Sequence, residues 1–450
     1  MARRKFYKDE ENPYDSADYS SSTVFLNEEK EPTPLAIETT GNYIHNLDDP
    51  GRRLNTYQVN PSGKVVTIDN TTTLQKTIDE VSDTGGVVHL KAGTYVVTSP
   101  LYLYSSVTLE GDSSANTTIT FNGSSANISA AGTSIYTTGT VSITQATTAL
   151  VGVGTSWLAN VTVGQHLLID TRWYKIDSVN SDTSITLSEA YAETTASGAT
   201  YRIATVKRDV VFKNLTIAGS TGTAIDLDDC RGIEFDDVVL ASNNVGISMT
   251  NCSEIVSDTL RVVTSTSDGI QATNVGLYNP TATISVGNGG NGWTLNNVAT
   301  WTILGCAGDS NTGDGFNLTS TEDLSMNIEA SGNGGQGLEG VATNNNLMIY
   351  SSLFVGNTSD GLKLTATTDN LKIISSKITN NGCYGINIAA SSCDNTIITG
   401  NNFASNSSGA ANDSGTGTII RGNSGLNDNS SGSTASPTGS ITMYGASSAP

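Results

Sequence analysis

Apolar and polar residues alternate in short stretches along the second half of the chain. In Ile247/Met249 and Phe316/Leu318 a single polar residue separates two apolar ones, which is the period of a β-strand. A helical repeat would need apolar residues at i, i+3 and i+4 over ten or more positions, and these stretches lack that spacing. Clusters of Ser, Asn, Asp and Gly follow the stretches and are typical of turns. The pattern therefore predicts many short strands joined by tight turns.

A glycine recurs among these strands at intervals of 22 to 24 residues. The glycines are Gly246, Gly269, Gly292, Gly315, Gly337, Gly361, Gly385 and Gly409. A large apolar residue follows each of the first seven: Ile247, Ile270, Trp293, Phe316, Leu338, Leu362 and Ile386. Such periodicity indicates a solenoid, and the regular leucine pattern of leucine-rich repeats is missing. We predict an all-β fold, a right-handed parallel β-helix of about ten coils between Val206 and Asn429, with about 4.8 Å between coils.

Composition narrows the possible partners and cofactors. The 450 residues carry a net charge of -21, which disfavours binding to nucleic acid or anionic membranes. No stretch of eighteen apolar residues occurs, so we expect neither membrane insertion nor a signal peptide. The five cysteines lack the spacing of a disulfide framework, and we expect Cys230 and Cys252 to stack as buried free thiols. With three histidines in the chain, we predict no metal site and no cofactor.

The two ends of the chain lack the repeat. Residues 1–65 combine charge clusters, tyrosines and prolines without a period, and we interpret them as an arm that orders on a partner. A merely disordered tail would have a similar composition. Residues 430–450 are rich in Ser, Gly, Thr and Ala and predict either a flexible or a strand-exchanging tail.

The start of the solenoid has a recognisable sequence. Apolar residues on one face predict a helix over residues 71–81, with a capping box of Thr72 and Gln75, which would cover the open end of the core. Gly-Gly, an apolar strand, Ala-Gly-Thr-Tyr and Val-Thr-Leu-Glu-Gly follow at residues 85–111. This order resembles pectate-lyase-like β-helix proteins, a group that includes polygalacturonases, other polysaccharide-cleaving enzymes and bacteriophage tailspikes.

An insertion interrupts the coils. Close-spaced alternating strands at residues 137–204 predict a small antiparallel β module. Its Gly-Thr-Ser-Trp and Trp-Tyr-Lys-Ile-Asp-Ser-Val-Asn-Ser-Asp-Thr-Ser-Ile-Thr-Leu stretches resemble a module common in phage tail and fibre proteins. The predicted organisation is an arm at 1–65, the cap helix and first coils at 66–136, the module at 137–204, the main helix at 205–429 and a tail at 430–450.

Outward columns of the coils are where we look for chemistry. Asp268, Asp314 and Asp360 precede the repeating glycine in every second coil. Asp-Gly is also an ordinary turn dipeptide, and Asn291-Gly292 takes the same place. The candidate catalytic residues, as acid and base from adjacent coils, are Asp314, Glu339 and Asp360. The candidate glycan-binding residues are Asp268, Gln271, Tyr278, Asn317, Lys363 and Tyr384.

Family catalytic residues cannot be carried over. The polygalacturonase motif of an Asn-Thr-Asp strand, an Asp-Asp pair and a Gly-His pair does not occur, and the coils are poor in the basic residues that a lyase requires. Trp293 shares the core position of Ile270 and Phe316, and we expect it to be buried, whereas Tyr278 and Tyr384 are expected to be more exposed.

The two resemblances together imply a virion protein. We predict a tailspike or tail-fibre protein, a homotrimer, whose arm binds other tail or neck proteins and whose solenoid attaches to a host-surface polysaccharide. Cleavage of that glycan as a hydrolase or lyase stays open. The alternatives are a secreted bacterial polysaccharide lyase or hydrolase and a purely structural virion fibre.

Overall fold

The computed structural model describes residues 74–428, together with the backbone of the strands Val24–Leu26, Pro32–Pro34 and Val65–Ile68. The predicted tail at 430–450 lies outside these residues, as does the predicted arm apart from its short strands. In the described part, nearly all secondary structure is β-strand, as the sequence predicts.

Three sheets organise these strands. The first pairs Val24–Leu26 with Pro32–Pro34 in antiparallel fashion. A 31-stranded parallel sheet forms the β-helix, and an eight-stranded antiparallel sheet forms the inserted module. The helix Leu74–Asp79 lies between the first two strands of the parallel sheet, and Trp157–Asn160 is a short helix of the module.

The first coils contain the strands Val65–Ile68, Gly86–Leu90, Gly93–Val96, Leu101–Tyr102, Val107–Gly111, Thr117–Thr120 and Ile128–Ala131. The module contains Thr133–Tyr136, Thr140–Ile143, Ala149–Val153, His166–Ile169, Arg172–Ser181, Ser184–Leu187, Ala196–Ala199 and Tyr201–Thr205. The main coils contain Lys207–Ala218, Thr223–Asp228, Cys230–Ala241, Val245–Thr250, Ser253–Asp258, Arg261–Val263, Ile270–Thr281, Ile284–Val286, Trp293–Asp309, Phe316–Thr319, Glu322–Ser331, Leu338–Gly340, Asn344–Asn345, Met348–Tyr350, Leu353–Val355, Leu362–Leu364, Thr368–Asp369, Lys372–Ile374, Lys377–Thr379, Tyr384–Ile388, Ile397–Thr399, Asn402–Ala404, Gly409–Asp413 and Ile419–Arg421.

The apolar residues after the repeating glycines form one buried column. The strand register joins Leu101, Ile128, Ile225, Ile247, Ile270, Trp293, Phe316, Leu338, Leu362, Ile386 and Ala411. Trp293 is fully buried and stacks on Phe316 with ring centroids 5.5 Å apart. The expected core position of Trp293 is confirmed. Because the residue that follows each core residue points outward, the same register fixes an outer column.

A ladder of asparagines, buried except for the half-buried last member, runs beside this column. Its members are Asn288, Asn311, Asn333, Asn357, Asn381 and Asn406, and each side-chain amide donates to the Oδ1 of the next at 2.8 to 3.1 Å. Each Oδ1 also accepts the backbone N–H of the preceding member at 3.0 to 3.1 Å. The ladder therefore supplies hydrogen-bond partners to buried backbone N–H groups of the turns, which would otherwise have none.

The repeating glycines lie against this ladder. A Cβ on Gly292 would be 2.7 Å from the Asn311 side-chain nitrogen and 2.7 Å from the carbonyl oxygen of Gly315. Between Gly246 and Gly385 these glycines have no positive φ, so it is their small size that the fold requires. The prediction misplaces the last one: Gly409 pairs with Tyr384, and Ala410 takes the glycine position.

The cap helix, Leu74–Asp79, ends two residues earlier than predicted, and it buries Leu74 and Ile78 against the first coil. The capping box of Thr72 and Gln75 stays a prediction, because Thr72 lies outside the described residues. The Oε1 of Gln75 accepts the backbone N–H of Tyr102 at 2.7 Å, and its amide donates to the Tyr102 carbonyl at 3.2 Å. Gln75 thus makes two hydrogen bonds to the backbone of the first coil.

The module has its own core and is attached to the coils by polar contacts. Trp157, Tyr174 and other side chains are buried inside it. Arg202 pairs with Asp229 through Nε at 2.8 Å and Nη2 at 2.7 Å, and the Trp173 indole donates to the Asn251 carbonyl at 2.7 Å. These bonds fix the module beside the coils that begin near residue 229.

Cys230 and Cys252 are buried free thiols on successive coils, as expected. Burial raises the pKa of the Cys230 thiol well above its ordinary value. Within the described residues, no helix is long and apolar enough to cross a membrane.

Candidate functional site

A polar strip runs along one outer face of the coils. The register aligns Asp226, Ser248, Gln271, Thr294, Asn317, Glu339, Lys363, Asn387 and Asn412. The structure therefore brings the predicted residues Gln271, Asn317, Glu339 and Lys363 into one column, at steps of about 4.8 Å. These side chains are partly exposed and present amides, hydroxyls and charges to solvent.

The aspartates beside this strip have a bonding role between coils. In each, Oδ1 accepts a backbone N–H from the equivalent place on the next coil. The N···O distances are 2.8 Å for Asp268 and Asn291, 2.7 Å for Asp314 and Gln336, and 2.7 Å for Asp360 and Tyr384. Asn291 makes the same bond to the N–H of Asp314 at 2.8 Å. An amide therefore serves this purpose as well as a carboxylate.

Asp314, Glu339 and Lys363 form a charged row on three successive coils. Burial raises the pKa of Asp314, and the Glu339 carboxylate raises it further, while the amide of Asn317 and the N–H of Gln336 oppose the shift. Glu339 approaches the Lys363 ammonium at 3.3 Å. Both oxygens of Asp360 accept hydrogen bonds, from Tyr384 and Asn387. The catalytic role of Asp314, Glu339 and Asp360 stays a prediction.

The two tyrosines expected at the surface differ. Tyr278 is fully buried, its ring packs edge-on against Trp301 with centroids 4.8 Å apart, and its hydroxyl bonds to Ser257. The expectation of an exposed Tyr278 is wrong because its strand turns this position into the core. A buried ring cannot contact a glycan at the surface. Tyr384 is half-buried, at the end of the aspartate column.

A cleft of about 680 Å³ lies between the module and the coils. The module contributes Asp170, Glu193 and Tyr201 to its lining. The coils contribute the amides Asn251, Asn274 and Asn297 and the carboxylates Glu322 and Asp323. A concave site with convergent polar groups is the usual form of a ligand-binding site.

The three amides occupy equivalent turns of successive coils, where the backbone has a positive φ of 50 to 56°. Asparagine tolerates this conformation better than most residues. Asn274 donates to the Oδ1 of Asn251 at 3.1 Å, and Asn297 donates to that of Asn274 at 2.8 Å. The amides are thereby held in one orientation along the cleft.

The carboxylates converge from both walls of the cleft. Burial raises the pKa of Glu193, Asp170, Asp323 and Glu322 raise it further, and Arg172 opposes the shift. Tyr191 donates a hydrogen bond to Asp170. The four acidic groups therefore repel one another across the cleft, and the partly buried Glu193 is protonated more readily than an ordinary glutamate.

Sequence reasoning missed this cleft. A signal existed for one wall, because Asn251, Asn274 and Asn297 recur every 23 residues. No signal placed the module against that wall, because the docking depends on contacts such as Arg202 with Asp229. Within residues 74–428, no group of three or more His, Cys, Asp or Glu side chains is arranged to hold a metal ion.

Comparison with known proteins agrees with this architecture. Residues 63–271 match the family described as rhamnogalacturonase A/epimerase, pectate lyase-like. The chain carries a pectate-lyase-like domain. The resemblance seen at the start of the solenoid is thereby confirmed. The matched segment of the pectate-lyase-like domain includes the whole module and Asn251, while Asn274, Asn297, Glu322 and Asp323 follow it.

Solved structures resemble the chain at low sequence identity. The A-module of mannuronan C-5 epimerase AlgE6 from Azotobacter vinelandii has 16% identity and a TM-score of 0.50, over 79% of this chain and 95% of that chain. The tailspike gp49 of Pseudomonas phage LKA1 has 10% identity and a TM-score of 0.43, over 78% and 74%. The Gp54 tailspike of Acinetobacter baumannii bacteriophage AP22 has 13% identity and a TM-score of 0.37, over 78% and 66%. No curated protein sequence matches the chain.

Proposed function

We propose that this chain is a glycan-binding β-helix of the tailspike type, which attaches a phage particle to a polysaccharide on the host surface. The observation that carries the proposal is the cleft between module and coils. Its carboxylates, amides and hydroxyls can both donate and accept hydrogen bonds, as the hydroxyl groups of a sugar require.

The repeat of the cleft wall favours a polymer over a small molecule. Asn251, Asn274 and Asn297 present the same amide on successive coils, about 4.8 Å apart. The polar strip repeats in the same direction. A ligand with repeating hydroxyl groups can meet such a surface at several points, and a polysaccharide has this property.

Two comparisons support a carbohydrate ligand. The family description of residues 63–271 names enzymes of pectic polysaccharides, and the AlgE6 A-module belongs to a mannuronan epimerase. The virion assignment rests on the resemblance of the module to phage tail and fibre proteins. We propose a homotrimer bound to tail or neck proteins through residues 1–65, because several copies turn weak glycan contacts into firm attachment.

Binding to immobilised capsular polysaccharides and lipopolysaccharides, measured by biolayer interferometry, tests this function. Replacing Asn274 and Asn297 together by alanine should weaken binding about tenfold or more, since two direct hydrogen bonds are lost. The matched control replaces Gln271 and Asn317 of the strip. If only the control variant loses affinity, the glycan lies on the strip. Failure of the wild-type chain to bind any glycan contradicts the proposal and favours a structural fibre.

Cleavage is a second activity to test, and the raised pKa of the Glu193 and Asp314 carboxyl groups favours an acid catalyst. New reducing ends would indicate a hydrolase, and unsaturated products a lyase. Asp314→Asn should retain the fold, because Asn291 makes the same inter-coil bond. Lost cleavage in that variant would support catalysis on the strip, and lost cleavage in Glu193→Gln would support the cleft.

A further inference from the structure

The charges around the cleft are strongly one-sided. Asp170 and Glu193 line it from the module, and Glu322 and Asp323 line it from the coils. Glu322 and Asp323 are exposed, and Asp323 accepts the amide of Asn346 at 2.8 Å. A ligand in the cleft therefore meets carboxylates on both sides.

The basic group that lines the cleft is already paired. Among the described residues that line the cleft, Arg202 is the basic one, and both its Nε and its Nη2 are bonded to Asp229. The Asp229 side chain is 1% exposed. Arg202 therefore cannot pair with a ligand instead of Asp229, because that would leave a buried carboxylate without its cation. Arg172 does not line the cleft; its Nη2 lies 3.7 Å from Glu189, its guanidinium carbon is 5.3 Å from the centre of the Tyr174 ring, and its buried Nε has no hydrogen-bond partner.

We propose that the cleft selects glycans without acidic groups and binds most tightly those that carry protonated amines. The inference rests on the proposed glycan-binding function and specifies its ligand class. A uronate would enter a site that four carboxylates line and whose basic lining residue, Arg202, is held by Asp229. An ammonium group would be attracted to all four carboxylates and would offset the repulsion between them.

The mutual repulsion is already visible in the free protein. Burial raises the pKa of Glu193, and its three acidic neighbours add to that effect in spite of Arg172. A bound cation would have the opposite effect and lower the pKa of Glu193. The family description names pectic substrates, so this cleft differs in charge preference from what that description suggests.

Oligosaccharides of equal length test the selectivity. The probes are chitosan hexamer, its fully N-acetylated counterpart and hexagalacturonate, measured by isothermal titration calorimetry against the full chain at low salt. We expect chitosan hexamer to bind about tenfold more tightly than the acetylated form, since one or two ion pairs contribute, and hexagalacturonate not to bind. Raising the salt concentration should reduce the difference.

Matched variants locate the effect. Glu322→Gln with Asp323→Asn should remove most of the preference for the amine. The control, Asp258→Asn with Glu329→Gln, removes two exposed charges of the coils that do not line the cleft. Equal losses in both variants would show attraction to the net charge of -21 and overturn the inference.

The other outcomes are also decisive. Hexagalacturonate binding as tight as that of chitosan hexamer, or no chitosan binding, would overturn the charge selectivity. Either result leaves the glycan-binding function standing as long as a capsular polysaccharide binds the wild-type chain. Loss of that binding as well would contradict the function itself.

Discussion

At the scale of the residue, the fold depends on asparagines that are polar and yet fully buried. Asn333 is 0% exposed, and its amide donates to the Gly308 carbonyl at 2.8 Å as well as to Asn357. A buried polar group costs stability unless it is bonded, and the ladder bonds every one of these amides. The turns are therefore held by side chains as much as by backbone.

Asn333→Ala should lower the free energy of unfolding by about 3 kcal/mol, because it leaves the N–H of Asn311 and the Gly308 carbonyl without partners in the interior. Denaturant unfolding followed by circular dichroism measures the change. Asn296→Ala is the control, at an exposed position of a neighbouring coil, and should change stability by less than about 0.5 kcal/mol. Equal effects would contradict the role of the ladder.

Gly292→Ala should destabilise the protein by about 2 kcal/mol or more, because the added methyl group displaces the Asn311 amide. The reverse change at the equivalent place, Ala410→Gly, should cost about 1 kcal/mol or less. Thermal unfolding of both variants checks the difference. A Gly292→Ala variant as stable as the wild type would show that the glycine is not required for its size.

The glycines also show what sequence can predict for single residues. Their spacing and the apolar residue after each were enough to predict the buried column. Their packing partner was not evident, although Asn288, Asn311 and Asn333 each precede a repeating glycine by four residues. Asparagine followed by glycine suggests a turn, and only the stacked coils show that the amide is buried.

At the scale of the element, the inserted module is the part that sequence predicted as a fold and missed as a site. The strands Thr140–Ile143 and Ser184–Leu187 follow from their alternation. The docking of the module depends on residues far apart in the chain, such as Arg202 and Asp229. Local patterns carry no information about such pairs, and so the cleft could not be predicted.

Arg202→Gln should lower the free energy of unfolding by about 3 kcal/mol at neutral pH, because it leaves Asp229 buried without its cation. Burial already raises the pKa of Asp229 in spite of Arg202, and removing the arginine raises it further. A raised pKa gives stability that is complete below the ordinary value and is lost as pH rises through the folded value. The deficit should therefore shrink as the pH falls towards about 4.

Melting temperatures measured between pH 4 and pH 8 test this dependence. The control is Lys363→Gln, which removes a partly exposed ion pair and should cost about 1 kcal/mol or less. A deficit for Arg202→Gln that stays constant over this range would contradict the buried carboxylate as its cause.

At the scale of the whole molecule, the proposed function requires several copies. Analytical ultracentrifugation of the full chain should give a mass three times that of the 46.7 kDa chain. A trimer brings three clefts together and raises the effective concentration of glycan sites. A monomer would count against the tailspike and favour the alternative of a secreted polysaccharide-cleaving enzyme.

The hydrogen bonds between members of the asparagine ladder all run in the same direction along the solenoid, from each coil to the following one. The backbone N–H of each ladder asparagine donates to the Oδ1 of the asparagine on the following coil. A coil that emerges from the ribosome therefore lacks this hydrogen bond until the following coil has been made. Because every ladder asparagine makes the same bonds to the next one, gain or loss of one whole coil leaves the hydrogen bonds between the remaining coils unchanged. The solenoid can therefore change length in evolution by single coils, and any shorter or longer step would break the ladder.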